Sequence, residues 1–316
     1  VSALAFTLLA LALVGPVPAL LARASWTMRA PRAAIVLWQS IALAAVLSAF
    51  SAGIAIASRL FVPGWDGRPT ATVISEIDAL GWPLGTLYVA VFTITLLIGA
   101  RLVVSVLQVA VATRRRRAHH RMVVDLLGLT RTAVSSQPCR GAAGLRVLDV
   151  EQPLAYCLPG VRSRVVLSEG ALNTLSDSEV TAILSHERAH LRARHDLVLE
   201  MFTALHSAFP RFVRSASALD AVRLLVEMLA DDAAVRTAGR TPLARALVAC
   251  ASGRAPSGAM AAGGPTTVIR VRRLGGQPNS PLLAAGAYLA AAAVLVVPTL
   301  AVAVPWLTEL HRLFTL

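Results

Sequence analysis

Ser185-His186-Glu187-Arg188-Ala189-His190-Leu191 is the stretch around which this 316-residue chain is organised. Two histidines at i and i+4 lie on one side of a helix, about one turn apart, so both imidazoles can reach a single metal ion. Zn2+ is the expected ion, with neutral histidine nitrogens as ligands and the intervening Glu187 as general base. The surrounding residues read as helix. Ser176-Asp177-Ser178-Glu179 is a capping box with Ser176 at the N-cap and Glu179 at N3. Val180, Ile183, Leu184 and Leu191 form the apolar side. The two histidines therefore fall two to three turns into a helix, where the backbone is rigid.

A metal site needs a further protein ligand. Glu227, within Leu224-Leu225-Val226-Glu227-Met228-Leu229-Ala230-Asp231, is the best candidate. A carboxylate among so many apolar neighbours belongs on a buried helix, here read over about 217–237, and an ionised buried carboxylate needs a partner or a metal. Asp231, one turn on, is placed to accept the free ring N–H of a ligand histidine and fix its tautomer. The alternative is that Glu227 and Asp231 are solvated helix charges; Asp232 points elsewhere and reads as surface. Two histidines and a glutamate with an open fourth position are the ligand set of a hydrolytic zinc site. His206, Tyr156 and His195 are candidate oxyanion donors by residue type alone. His195 reads as exposed, and Asp196 as a capping or orienting group.

The rest of the composition describes a membrane protein. Hydrophobic residues make up 56% and the mean hydropathy is +0.67, too high for a soluble globular chain. Uncharged runs predict transmembrane helices at about 3–22, 33–58 and 80–104 within a membrane domain, 1–112. A fourth span follows at 274–308 and a short tail at 309–316. A signal peptide is the alternative for the first run, but no basic segment precedes it. Pro16 and Pro18 are expected to kink it. Arg101 is expected to snorkel to the interface, on a helix that continues past the membrane. Residues 113–273 form the polar domain, with 251–273 linker-like. Within it, 144–150, 154–158 and 163–168 predict a small sheet. The fold class is thus mainly α, with four transmembrane helices and an α+β domain.

Charge sets the expected topology. The net charge is +13 and every basic residue is Arg, which fits a GC-rich codon bias. Arg23, Arg29 and Arg32 lie in the first loop with no acid, whereas Arg59 and Arg68 in the second face Asp66, Glu76 and Asp78. Arg114-Arg115-Arg116-Arg117-Ala118-His119-His120-Arg121 could touch nucleic acid. Directly after a span it reads instead as a topology anchor on anionic lipid, and no direct nucleic-acid binding is expected. Arg270, Arg272 and Arg273 mark the near end of the fourth span in the same way. The expectation is a multi-pass plasma-membrane protein with both termini extracytoplasmic and the polar domain cytoplasmic. Cys139, Cys157 and Cys250 show no paired spacing and suggest a reducing compartment.

Residues 185–196 followed by Glu227 and Asp231 resemble the integral-membrane zinc metallopeptidases of the BlaR/MecR type, gluzincins related to the HtpX and CaaX-prenyl protease group. The order of three spans, polar domain and fourth span extends the resemblance to nearly the whole chain. It implies a cytoplasmic gluzincin endopeptidase domain with His186, His190 and Glu227 as zinc ligands and Glu187 as catalytic base. It also implies an antirepressor role in signal transduction: self-cleavage, with the 251–281 stretch the place to look, and loss of a BlaI-like winged-helix repressor. The β-lactam sensors of that family carry a penicillin-binding domain after the fourth span; the chain ends there, so covalent β-lactam binding is not expected. An HtpX/CaaX-like quality-control or processing protease is one alternative, and a non-catalytic membrane signalling protein with a structural metal site is another. A structural zinc would have four protein ligands.

Overall fold

The computed structural model describes residues 2–57, 82–127, 144–160, 163–209, 216–252, 260–261, 266–276 and 279–314. The outer loop expected between the second and third apolar runs, and Cys139, lie outside the described residues. The first apolar run is broken where the sequence supplies Gly15 and Pro16. Helix α1 (Ser2–Val14) ends there and α2 (Pro16–Arg23) begins, with Pro16 in the first turn, where its missing N–H costs nothing. Helix α3 spans Pro31–Ala57, and α4 runs unbroken for 46 residues from Trp82 to Leu127. Helix α11 (Pro281–Phe314) closes the chain. Leu4–Arg23, Pro31–Ile56, Trp82–Leu127 and Pro281–Leu300 are long and apolar enough to cross a membrane.

Between α4 and α11 come β1 (Leu145–Leu148), β2 (Ala155–Leu158) and β3 (Arg164–Ser168), then α5 (Glu169–Thr174), α6 (Asp177–Arg192), α7 (His195–Ala208), α8 (Ala216–Ala238) and α9 (Arg240–Ala249). A two-residue strand, β4 (Met260–Ala261), and α10 (Thr267–Leu274) precede α11. The sheet order is β1-β3-β2-β4, with β1 parallel to β3 and β2 antiparallel to both its neighbours. The expected small sheet thus gains a fourth strand from the stretch read as linker. Alternation along β2 divides its residues between two cores. Ala155 and Cys157 join Ile183 and Val226 in the main core. Tyr156 and Leu158 join Val166 and Val124 of α4. The main core also takes in Trp38 and Ile41 of α3, beside Leu219, Val222 and Leu225 of α8, so the apolar helices and the polar region share one interior.

The basic run on α4 is only partly free for lipid. Arg114, Arg115 and Arg116 are exposed, but Arg117 Nη1 lies 3.0 Å from Asp196 Oδ2 and 2.7 Å from Glu200 Oε1 on α7. Arg121 donates to the Pro159 carbonyl, and His120 Nε2 lies 3.1 Å from the Tyr156 hydroxyl. The run therefore also clamps α4 to the sheet and to α7. Farther along α4, Ser105 donates to the Ala204 carbonyl and Arg101 Nε to that of Ala208. Arg101, expected to snorkel, is exposed and also ties off the C-terminal end of α7, where helix carbonyls lack partners.

Gly170 fixes how β3 enters α5. A Cβ at this position would stand 1.7 Å from the Glu151 carbonyl oxygen, a backbone atom that cannot swing aside. Gly170→Ala is expected to cost about 1–3 kcal/mol by overpacking. A lowered thermal unfolding midpoint checks this; an unchanged midpoint would show that the backbone relaxes freely.

Candidate metal centre

Helix α6 starts as its sequence dictates. Both halves of the Ser176/Glu179 capping box are made. The helix then runs between β2 and α8, so Ile183, His186 and Glu187 are fully buried and His190 nearly so. Helix α8 passes alongside and presents Glu227 and Asp231 to it.

His186, His190 and Glu227 come together. The two Nε2 atoms are 3.1 Å apart. Glu227 Oε2 lies 3.4 Å from His186 Nε2, and Glu227 Oε1 lies 3.6 Å from His190 Nε2. Ligands bound tetrahedrally to zinc at their usual lengths stand about 3.4 Å from one another. The three groups therefore fit one such ion, and they form a group able to hold a metal. The Glu227 side chain is 16% exposed while both histidines are closed off, so the open side of the site lies by Glu227.

Each ligand histidine is held from behind through Nδ1. His186 Nδ1 lies 3.0 Å from Asp231 Oδ1. An N–H donated to this carboxylate leaves Nε2 as the lone-pair nitrogen, the tautomer that a metal takes. His190 Nδ1 lies 3.1 Å from His195 Nδ1. His195, expected to be exposed, is 5% exposed. The cause is the tight reversal after α6: Arg194 adopts φ 52°, a left-handed conformation that costs a non-glycine residue about 1–2 kcal/mol, and α7 starts with His195 folded back onto the motif helix.

Arg270 is the residue that sequence reading missed. Read only as part of the basic cluster that marks the near end of the fourth span, it is 1% exposed. Its Nε and Nη2 donate to the two Asp231 oxygens at 2.8 and 2.6 Å, and Nη1 lies 3.0 Å from Glu227 Oε2. The guanidinium thus ties together one metal-facing carboxylate and the carboxylate behind His186. Thr267, Arg270 and Leu274 form the buried side of α10 at helical spacing, and that was the available signal. Asp232, read as free surface, pairs with Arg273 and Asn279.

Two expected donors lie elsewhere. Tyr156 points to the α4 side of β2, against His120, whereas the next residue, Cys157, faces Glu187. His206 is three turns along α7 from His195, roughly 16 Å by helical rise, among the apolar helices. Neither belongs to the His186/His190/Glu227 group.

The metal-free cluster has a defined charge state. Burial raises the Glu187 carboxyl to about 7, with the Glu227 charge assisting and the nearby His186 opposing. The Cys157 thiol is the one group among the described residues that donates towards Glu187, and no other hydrogen-bond partner reaches its oxygens. Burial pushes Cys157 well above its usual range, with Glu187 adding to the effect, so its thiol stays protonated. Burial would lower His186, but hydrogen bonds to Asp231 and Glu227 outweigh it and lift it to about 9. Burial takes His190 down to about 3 against the Glu227 charge. Burial would raise Glu227, yet His190, His186 and Arg270 bring it to about 2. Near pH 7 His186 therefore holds a proton that a metal must displace. Zinc binding is expected to release close to one proton at pH 7 and progressively less above pH 9. Calorimetry in buffers of different ionisation heat reads this directly, and proton-neutral binding at pH 7 would contradict it.

Residues 132–223 match the model of Peptidase family M48. That stretch holds β1 to β3, the motif helix α6 and α7, and ends within α8, four residues before Glu227. No curated protein and no solved structure matches the chain. The match falls on His186, Glu187 and His190, and with the His186/His190/Glu227 group it supports a metallopeptidase.

Proposed function

We propose that this chain is a membrane-bound zinc endopeptidase in which His186, His190 and Glu227 hold the ion and Glu187 is the general base. The observation that carries this reading is the grouping of three ligand atoms at tetrahedral spacing, beside the buried carboxyl of Glu187 on the helix that holds both histidines. Zinc bound there supplies Lewis acidity to a water and to the scissile carbonyl. Glu187 accepts the proton of the attacking water and hands it to the leaving amine nitrogen, and its raised pKa suits both steps near neutrality. Asp231 and His195 hold the two imidazoles in the ligating tautomer, and Arg270 fixes Glu227. The arginine-rich first loop and the 114–121 run support a cytoplasmic site, with both ends of the chain outside.

The substrate is a protein at the membrane. A regulatory role of the BlaR type, cleaving the chain itself or leading to loss of a winged-helix repressor, is supported by the order of the apolar helices. The M48 match favours HtpX-like processing of membrane proteins equally. The purified zinc-loaded chain is expected to cleave an unfolded polypeptide, with a chelator and a hydroxamate abolishing cleavage. Persistence of cleavage in both would refute a zinc peptidase. Slower loss of a neighbouring repressor in a deletion strain selects the regulatory role; unchanged repressor with accumulated membrane proteins selects processing.

A further inference from the structure

A cavity of about 840 Å3 lies between α1, α3 and α4 on one side and α7 and α8 on the other, well away from the metal centre. Its volume is in the range of ligand sites, about 300–1,000 Å3. The α3 residues that line it run from Trp38 to Phe50, a length of roughly 18 Å at helical rise. The wall is otherwise apolar, with Leu13, Ile41, Ala45, Phe202 and Leu219 among its residues, and no acidic residue lines it.

Its few polar groups include two that lack partners and one cation. Trp38 Nε1 and His206 Nδ1 are buried with no hydrogen-bond partner among the described residues. An indole N–H can only donate. Arg101, also on the wall, donates through Nε to the Ala208 carbonyl, two residues beyond His206. Buried polar groups are seldom left unsatisfied, and each one left so is costly. An occupant that answers this wall is long, apolar and anionic at one end.

We propose that the cavity binds a long-chain fatty acid, its alkyl chain along α3 and its carboxylate beside Arg101 and His206, which meet where Arg101 reaches the Ala208 carbonyl. Burial of the alkyl chain supplies the affinity, and the guanidinium supplies the counter-charge. Helix α7 links this site to the other one. Its C-terminal half lines the cavity, Arg117 grips its first turns, and His195 at its start sets His190. Occupancy is therefore expected to alter cleavage. That consequence rests on the peptidase reading, whereas binding itself does not.

Photolabelling of the zinc-loaded full chain with a diazirine palmitate, in nanodiscs of neutral lipid, tests binding. The label is expected on peptides containing Ala45 and Leu205. Palmitate should compete, while hexadecanol and phosphatidylglycerol should not. Arg101→Gln should lower capture about tenfold and Ala45→Trp should abolish it, with retained zinc showing that each variant is folded. Equal competition by hexadecanol would show a cavity with no headgroup site, and stronger competition by phosphatidylglycerol would show a phospholipid site; each overturns the proposal. So would label spread evenly over α4 and α11, or native mass spectrometry that finds a peptide in the cavity.

Discussion

Glu187→Gln retains one zinc per chain and loses peptide hydrolysis by about 10²–10⁴-fold, the span typical of removing a general acid–base group. Glutamine is close to isosteric, and its amide oxygen can still accept from the Cys157 thiol that faces Glu187. The burial that raises its carboxyl to about 7 makes a neutral amide an easy tenant of the same space. Zinc should stay because the three grouped ligand atoms belong to other residues. Metal analysis and single-turnover cleavage on the same preparation check both halves. A Gln variant as active as the wild type would remove Glu187 from the chemistry, and one that loses zinc would make it a ligand.

Why so much of this centre was legible is a matter of helical geometry. His186 and His190 share a side of any helix they occupy, and the capping box at Ser176 and Glu179 started that helix where it was expected. Glu227 and Asp231 stood out because ionised groups in an apolar helix need a reason to be there. The alternation on β2 could in principle have set Tyr156 aside, since its neighbour Cys157 faces Glu187 and adjacent strand residues oppose one another. Other features were not local. The place of His195 depends on Arg194 taking a left-handed conformation, which its identity does not announce. The inward turn of Arg270 depends on two carboxylates 39 and 43 residues earlier, where a basic cluster beside an apolar run reads more readily as a lipid contact. Arg117 and Arg121 likewise meet partners far off in sequence, Asp196, Glu200 and the Pro159 carbonyl, which a basic run does not announce.

Arg270→Met has the second large expected effect. The substitution leaves Asp231, 1% exposed, and Glu227 without their common cation. Removing one partner of a buried ion pair costs about 3–5 kcal/mol, because the remaining charge has lost its water and its counter-ion. Zinc affinity should fall about 10–100-fold as Asp231 ceases to be held against His186. Arg270→Lys should recover part of the stability but little of the affinity, since an ammonium cannot span both carboxylates as the guanidinium fork does. Thermal unfolding of the metal-free variants and zinc competition against a chelating dye separate the two effects. Lost stability with unchanged zinc affinity would make Arg270 a strut of the fold with no part in ordering the centre.

The central claim is that two histidines and one carboxylate bind zinc and leave a position open. X-ray absorption at the zinc edge on the purified full chain measures this most directly. A shell of nitrogen and oxygen scatterers only, at about 2.0–2.1 Å, with imidazole multiple scattering from two histidines, is expected; both should vanish in a His186→Ala, His190→Ala double variant. A sulfur scatterer at about 2.3 Å, which would bring Cys157 or Cys250 into a closed structural site, or a chain that takes up no zinc, would contradict it.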